Sequence, residues 1–255
     1  MKGSSEDRRR RNYPDEFLID AIKNLVKERP TYGYRRITAL LNRRFRAEGT
    51  PRVNPKRIYR IMKENDLLWR PPPRKPTRTH DGNVVVPEVN RRWCSDGFEI
   101  RCWNGNKVRV AFAMDCCDRE VMSWVATTGG INGQMIRDLV AESVERRFGK
   151  AGLPHRIQWL TDNGSIYTSR KTRRFVEALG MEACTTPAYS PESNGLAEAF
   201  VKTFKRDYVQ VHDIETAEEV LLQLGKWFED YNENHPHKGL KMLSPREFRL
   251  LHAIA

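Results

Sequence analysis

The chain has 255 residues, 39% of them hydrophobic, and a formal net charge of +12; that is enough apolar material for a real core and excludes a largely disordered chain. No window approaches the roughly 20 consecutive apolar residues of a membrane span, and the opening MKGSSEDRRRR has no apolar stretch behind its charges, so a soluble, unexported, cytoplasmic protein with no membrane partner is expected. The charge is lopsided: residues 1–90 hold 22 Lys and Arg against 11 Asp and Glu, residues 91–255 hold 23 against 22, and such an N-terminal surplus suits a polyanion.

Residues 1–13 are a basic tail. In PDEFLIDAIKNLVK, residues 14–27, Phe17, Leu18, Ala21, Ile22, Leu25 and Val26 recur at helical period. A second helix follows in RRITALLNRRF, with Ile37, Leu40 and Leu41 on one side and arginines on the others. A third, over residues 54–65, has Asn54 to cap it, Pro55 at its first position and Ile58, Ile61 and Met62 as its apolar stripe. Three short helices, the last carrying Lys56, Arg57, Arg60 and Lys63, resemble a helix-turn-helix module over residues 14–68, although FRAEGTPRV is longer than the tightest turns. These four cations are candidate DNA contacts. Pro71, Pro72, Pro73 and Pro76 then mark residues 69–90 as a basic, semi-rigid linker.

From residue 92 the period changes to that of strands. RWCSDGFEIRCW, the hairpin signal Asn104-Gly105, VRVAFAMDCCD and EVMSWVATT predict an antiparallel meander. A helix ending at Gly149, the strand RIQWLTD, the helix SRKTRRFVEALG, the strand MEACTTP, a helix opened by SPESNG and a last helix over 216–231 complete the order. This predicts an α/β domain over residues 91–255, a mixed five-stranded sheet with flanking helices. The five cysteines lack a C-x-x-C spacing and read as reduced thiols, and His235 and His237 lack further ligands for a structural zinc.

Three acids stand out. Asp96 sits inside the first strand, where a carboxylate must be paired, protonated or metal-bound. Asp162 ends the fourth strand in an ordinary Asp-Asn-Gly turn, and Glu198 lies in the helix after SPESNG. In a βββαβ arrangement the first and fourth strands are neighbours, so Asp96 and Asp162 approach each other and a helix supplies the third carboxylate. Converging carboxylates of this kind suit two-metal phosphoryl transfer. Asp115 is read as structural, and Glu99 as non-catalytic because it faces away from Asp96.

With 35 residues between Asp162 and Glu198, the trio resembles the D,D(35)E signature of retroviral-integrase-like transposases with a ribonuclease-H-like core. More narrowly, TYGYRRITALLNRR, LTDNGSIYTS, TPAYSPESNGLAEAFVKTFKRD and YNENHPHKGLKMLSPREF resemble the OrfB proteins of bacterial insertion sequences in the IS-three family, over about residues 15–250. Gly97 and Phe98 depart from the apolar-Thr pair common there, and the His/Cys zinc domain of retroviral integrases is absent. The resemblance implies that Asp96, Asp162 and Glu198 are catalytic and bind two Mg²⁺ or Mn²⁺ ions, and that Lys205 is the basic residue kept seven positions after the glutamate. Helical spacing sets Lys202, Lys205 and Asn194 on the face of Glu198 as DNA contacts. Metal-dependent cleavage and strand transfer at terminal inverted repeats, a homodimer or higher synaptic oligomer, and an upstream OrfA-type protein or fusion are further implied. The alternative is a domesticated DNA-binding protein with a silent core.

Overall fold

In the computed structural model, which describes residues 13–70, 86–186 and 195–252, the chain divides into two units. One contains residues 13–70 and 236–243, the other 86–186, 195–235 and 244–252. In the first, α1 (Asp15–Glu28), α2 (Tyr34–Ala47) and α3 (Pro55–Glu64) close a shared core around Leu18, Ile22, Ile37, Leu41, Ile58 and Met62, the one-face spacing of each helix. Asn54 caps α3 by accepting from the Lys56 amide at 2.8 Å. Asn42 fixes the long α2–α3 loop: its side-chain amide donates to the Val53 carbonyl at 3.0 Å and its oxygen accepts from the Val53 amide at 2.7 Å. Phe17 departs from its expected burial and is 49% exposed, lying at the edge of the core in a stack with Tyr13 at 5.2 Å and Phe45 at 6.3 Å.

In the second unit β1 (Arg92–Arg101), β2 (Lys107–Asp115) and β3 (Val121–Thr127) form the antiparallel meander. β4 (Gln158–Thr161) pairs parallel with β1, and β5 (Glu182–Thr185) parallel with β4, giving the order β3-β2-β1-β4-β5. The hairpin turns at Gly105, φ +87°, a backbone region that glycine enters without strain.

Consecutive strand residues feed opposite cores, as a period of two requires. Trp93, Ala111, Ala113 and Trp159 pack with α4 (Gly133–Phe148), α5 (Ser165–Thr168) and α6 (Arg170–Ala178). Cys94, Phe98, Phe112 and Leu160 pack with α7 (Gly195–Phe204), a π-helical turn over Lys205–Val209 and α8 (Ala217–Asn234). A last helix, α9 (Pro245–His252), the short α5 and the π turn are additions to the expected elements. Among the described residues no helix is long and apolar enough to cross a membrane.

Candidate active site

The parallel register of β1 and β4 sets Cys94 level with Leu160. Two residues further come Asp96, within β1, and Asp162, one residue past the end of β4, so this pairing brings them to the same end of neighbouring strands, whose backbones run about 4.8 Å apart. Alternation along β1 gives Asp96 the face of Cys94, which shares a core with α7. That helix is seated by Ala197, Phe200 and Phe204, with ring centroids 4.4 Å apart for Phe112 and Phe200 and 5.6 Å apart for Phe98 and Phe204. Glu198, next to buried Ala197, stays 46% exposed at the rim of this packing.

Electrostatics tie the three acids together. Burial raises the proton affinity of half-buried Asp96, the Gly97 amide donating to it at 2.7 Å opposes this, and the charges of Asp162 and Glu198 raise it further. Asp162 Oδ1 accepts from the Gly164 amide at 2.9 Å. The second oxygen of each aspartate takes no hydrogen bond among the described residues. No three acidic, His or Cys side chains among the described residues form a finished metal cage, and Mg²⁺ takes few protein oxygens in any case. Hard oxygen donors with open lone pairs that repel one another fit a divalent cation of the Mg²⁺ or Mn²⁺ kind.

Two features of this neighbourhood escaped the sequence reading. Ser95 and Tyr167, both buried, share a hydrogen bond of 3.2 Å behind the aspartates, and burial, with the charges of Asp96 and Asp162, pushes the Tyr167 phenol up. At Gly164 an added Cβ would lie 2.9 Å from Asp162 Oδ1.

Of the candidate DNA contacts, Lys202 is exposed, its Nζ 3.8 Å from Glu198, whereas Lys205 opens the π turn and lies over the Phe98 ring at 5.8 Å. Asn194 lies outside the described residues. On α3, Lys56 and Lys63 are exposed and form no ion pair among the described residues. Arg57 instead donates to Asp15 and to the Tyr13 carbonyl, both at 2.5 Å. Arg60 reaches Asp15 at 2.6 Å and Glu64 at 3.0 Å. The two guanidiniums hold the Asp15 carboxyl below the usual range. Glu99 pairs with Arg101 at 3.1 Å and Lys107 at 3.4 Å, and fully buried Asp115 accepts from the amides of Asn90, Cys117 and Asp118.

Integrase core domain models match residues 86–191 and 179–245, and an HTH-like domain model matches residues 13–76. The transposase InsD for insertion element IS2A/D/F/H/I/K of Escherichia coli is 48% identical over 245 residues, 95% of this chain and 81% of that protein. The transposase InsD for insertion element IS2-9 of Escherichia coli (strain K12) is 48% identical over the same length and 80% of its own. Among solved structures, the simian T-cell lymphotropic virus intasome in complex with PP2A regulatory subunit B56 gamma matches with a TM-score of 0.51 at 16% identity, over 81% of this chain and 69% of that one. That last likeness is one of fold.

Proposed function

The chain belongs to the insertion-element transposases with an integrase core, polynucleotidyl transferases of the DDE class, and from that premise we propose that Asp96, Asp162 and Glu198 are its catalytic residues. The observation that carries this assignment is geometric: the parallel pairing that sets Cys94 level with Leu160 brings Asp96 and Asp162, two residues beyond them, to the same end of adjacent chain segments, and the helix bearing Glu198 packs in the core that Cys94 and Leu160 share, although nothing in the local sequence joins the three. The three would hold two Mg²⁺ or Mn²⁺ ions, whose chemistry when bound is activation of the attacking oxygen and neutralisation of charge on the leaving 3′-oxygen.

The chain's own residues do the rest. Asp96 and Asp162 are anchored by the Gly97 and Gly164 amides, each of which holds one carboxylate oxygen and leaves the other without a hydrogen bond among the described residues. Lys202 and Lys205 bring positive charge to the approaching phosphodiester, and the surplus of 14 Lys and Arg over 7 Asp and Glu in residues 13–70 holds the terminal inverted repeats by phosphate contacts. An in-line attack by water nicks the strand, and attack by the exposed 3′-hydroxyl joins it to target DNA. Synapsis of two ends requires at least two protomers, and an upstream OrfA-type protein is a natural partner. The setting is the cytoplasm, where the element's DNA lies.

The test is incubation of the full chain with labelled element-end DNA and Mg²⁺ or Mn²⁺, scoring nicks and joined products. Asp162→Asn and Glu198→Gln lose both by at least a thousandfold while retaining DNA binding; wild-type rates in either variant overturn the assignment.

A further inference from the structure

The helical unit carries a surface that its cationic helix does not by itself account for. A cleft of about 520 Å³ opens between the N-terminal ends of α2 and α3, lined by Tyr34, Arg35, Asn54, Pro55, Lys56 and Tyr59, with Met242 at its margin. Its walls are aromatic: Tyr34 and Tyr59 meet edge to face at 5.1 Å, and Tyr59 is 42% exposed. Its cations are uncommitted. Exposed Arg35 lies over the Tyr34 ring at 5.4 Å, and neither it nor Lys56 has an ion pair among the described residues. By contrast, a cleft of about 510 Å³ beside β3 has Arg147, Arg246 and Arg249 already committed to carboxylates.

Open cations around an apolar aromatic floor complement a phosphate-flanked apolar group rather than a peptide or a free anion. Tyr59 also lies between Lys56 and Lys63 on the outer side of α3, spaced three and four residues from them, so one helical face carries cation, ring and cation. A helix presented this way to a major groove puts its ring at the base edges, where the only apolar mark is the thymine 5-methyl group.

We propose that Tyr59 and Tyr34 form a thymine-methyl reader, with Arg35 and Lys56 on the adjacent phosphates, and that this cleft sets part of the sequence specificity for the element ends. The proposal rests on the reading of this unit as DNA-binding, and it moves specificity from Arg57 and Arg60, which Asp15 occupies, to the two tyrosines.

The experiment uses the full chain and a pool of 30-base-pair duplexes of random sequence. Wild type is used to enrich a sequence, and each thymine of that sequence is then replaced in turn by deoxyuridine, which lacks only the methyl group. At one or two positions the replacement weakens wild-type binding by fivefold or more. Tyr59→Ala binds the unmodified duplex at least tenfold more weakly, is indifferent to the replacement and binds the starting pool within threefold of wild type. Tyr59→Phe, which keeps the ring, retains wild-type behaviour, and thermal melts confirm that both variants fold. The inference is overturned if no thymine is sensitive, or if Tyr59→Ala and wild type respond alike to the replacement. If wild type binds neither pool nor enriched DNA, the DNA-binding reading of the unit falls as well.

Discussion

Gly164 is required by space rather than by backbone freedom. Its φ of −60° and ψ of 140° are open to any residue, but a Cβ there would sit 2.9 Å from Asp162 Oδ1, closer than non-bonded carbon and oxygen tolerate. Gly164→Ala is therefore expected to swing the Asp162 carboxylate and lower strand cleavage at least tenfold, while unfolding in urea shifts by less than about 1 kcal/mol. Full activity in this variant would show that the carboxylate has room to spare. The sequence displayed Asp-Asn-Gly as turn chemistry and the 35-residue spacing as a signature, yet a clash between a missing side chain and a carboxylate is invisible without coordinates. The arginines of α3 teach the same lesson. Their charge was legible, but their partner Asp15 lies 42 and 45 residues away. Lys56→Gln and Lys63→Gln should each reduce the slope of log affinity against log salt by about 0.9. Arg57→Gln should leave that slope unchanged and lower stability by about 0.5–1.5 kcal/mol, by taking one partner from Asp15, which keeps Arg60, and one from the Tyr13 carbonyl. Titration of DNA affinity at several salt concentrations separates the two kinds of cation.

At the scale of elements, α7 carries Glu198 but is held by aromatic packing. Phe204, fully buried, lies 4.6 Å from Phe228 and 5.6 Å from Phe98. Phe204→Ala should cost about 3–5 kcal/mol in chemical denaturation, and it should weaken cleavage beyond what the unfolded fraction explains, since Glu198 depends on that seat. The helix then tightens no further: it widens into a π turn over Lys205–Val209, a change that places Lys205 over Phe98. Period-3.6 counting cannot foresee such a widening, because it assumes one fixed number of residues per turn. The final helix was more legible than the reading made it. Ser244 and Glu247 form a capping pair, the Ser244 amide donating to Glu247 at 2.9 Å and the Glu247 amide to Ser244 Oγ at 3.3 Å, Pro245 takes the first helical position, and S-P-R-E is a recognisable helix start. The meander followed from strand periodicity and the Asn-Gly hairpin signal, since those are local, whereas the parallel pairing of β1 with β4 was legible only from the βββαβ order; α5, one turn long, leaves too few residues for any period to register.

Across the whole catalytic unit, one buried ionic cluster joins elements remote in sequence. Arg147 of α4, 2% exposed, meets Asp118 and Glu120 of the β2–β3 turn and lies 3.8 Å from Asp115, and Arg246 and Arg249 of α9 also reach Glu120. It sits at the far end of β2 from the hairpin and holds the edge of the sheet against its last helix. Burial and the neighbouring Asp115 push the Asp118 carboxyl up to about 6, against the pull of Arg147. The sign follows from linkage: the folded state keeps a proton that the unfolded chain gives up near 3.8, so this group's contribution is fully present at low pH and is lost as pH rises through about 6. Arg147→Met removes the opposing pull and leaves Asp115 and Asp118 without their cation, while Glu120 keeps Arg246 and Arg249. The expected loss is about 3–5 kcal/mol near neutral pH, shrinking towards pH 5 as Asp118 takes up its proton and growing towards pH 8. Urea unfolding of wild type and variant across that range measures it, and a deficit that stays constant with pH would mean that packing of the arginine stem, not its charge, is what the cluster uses.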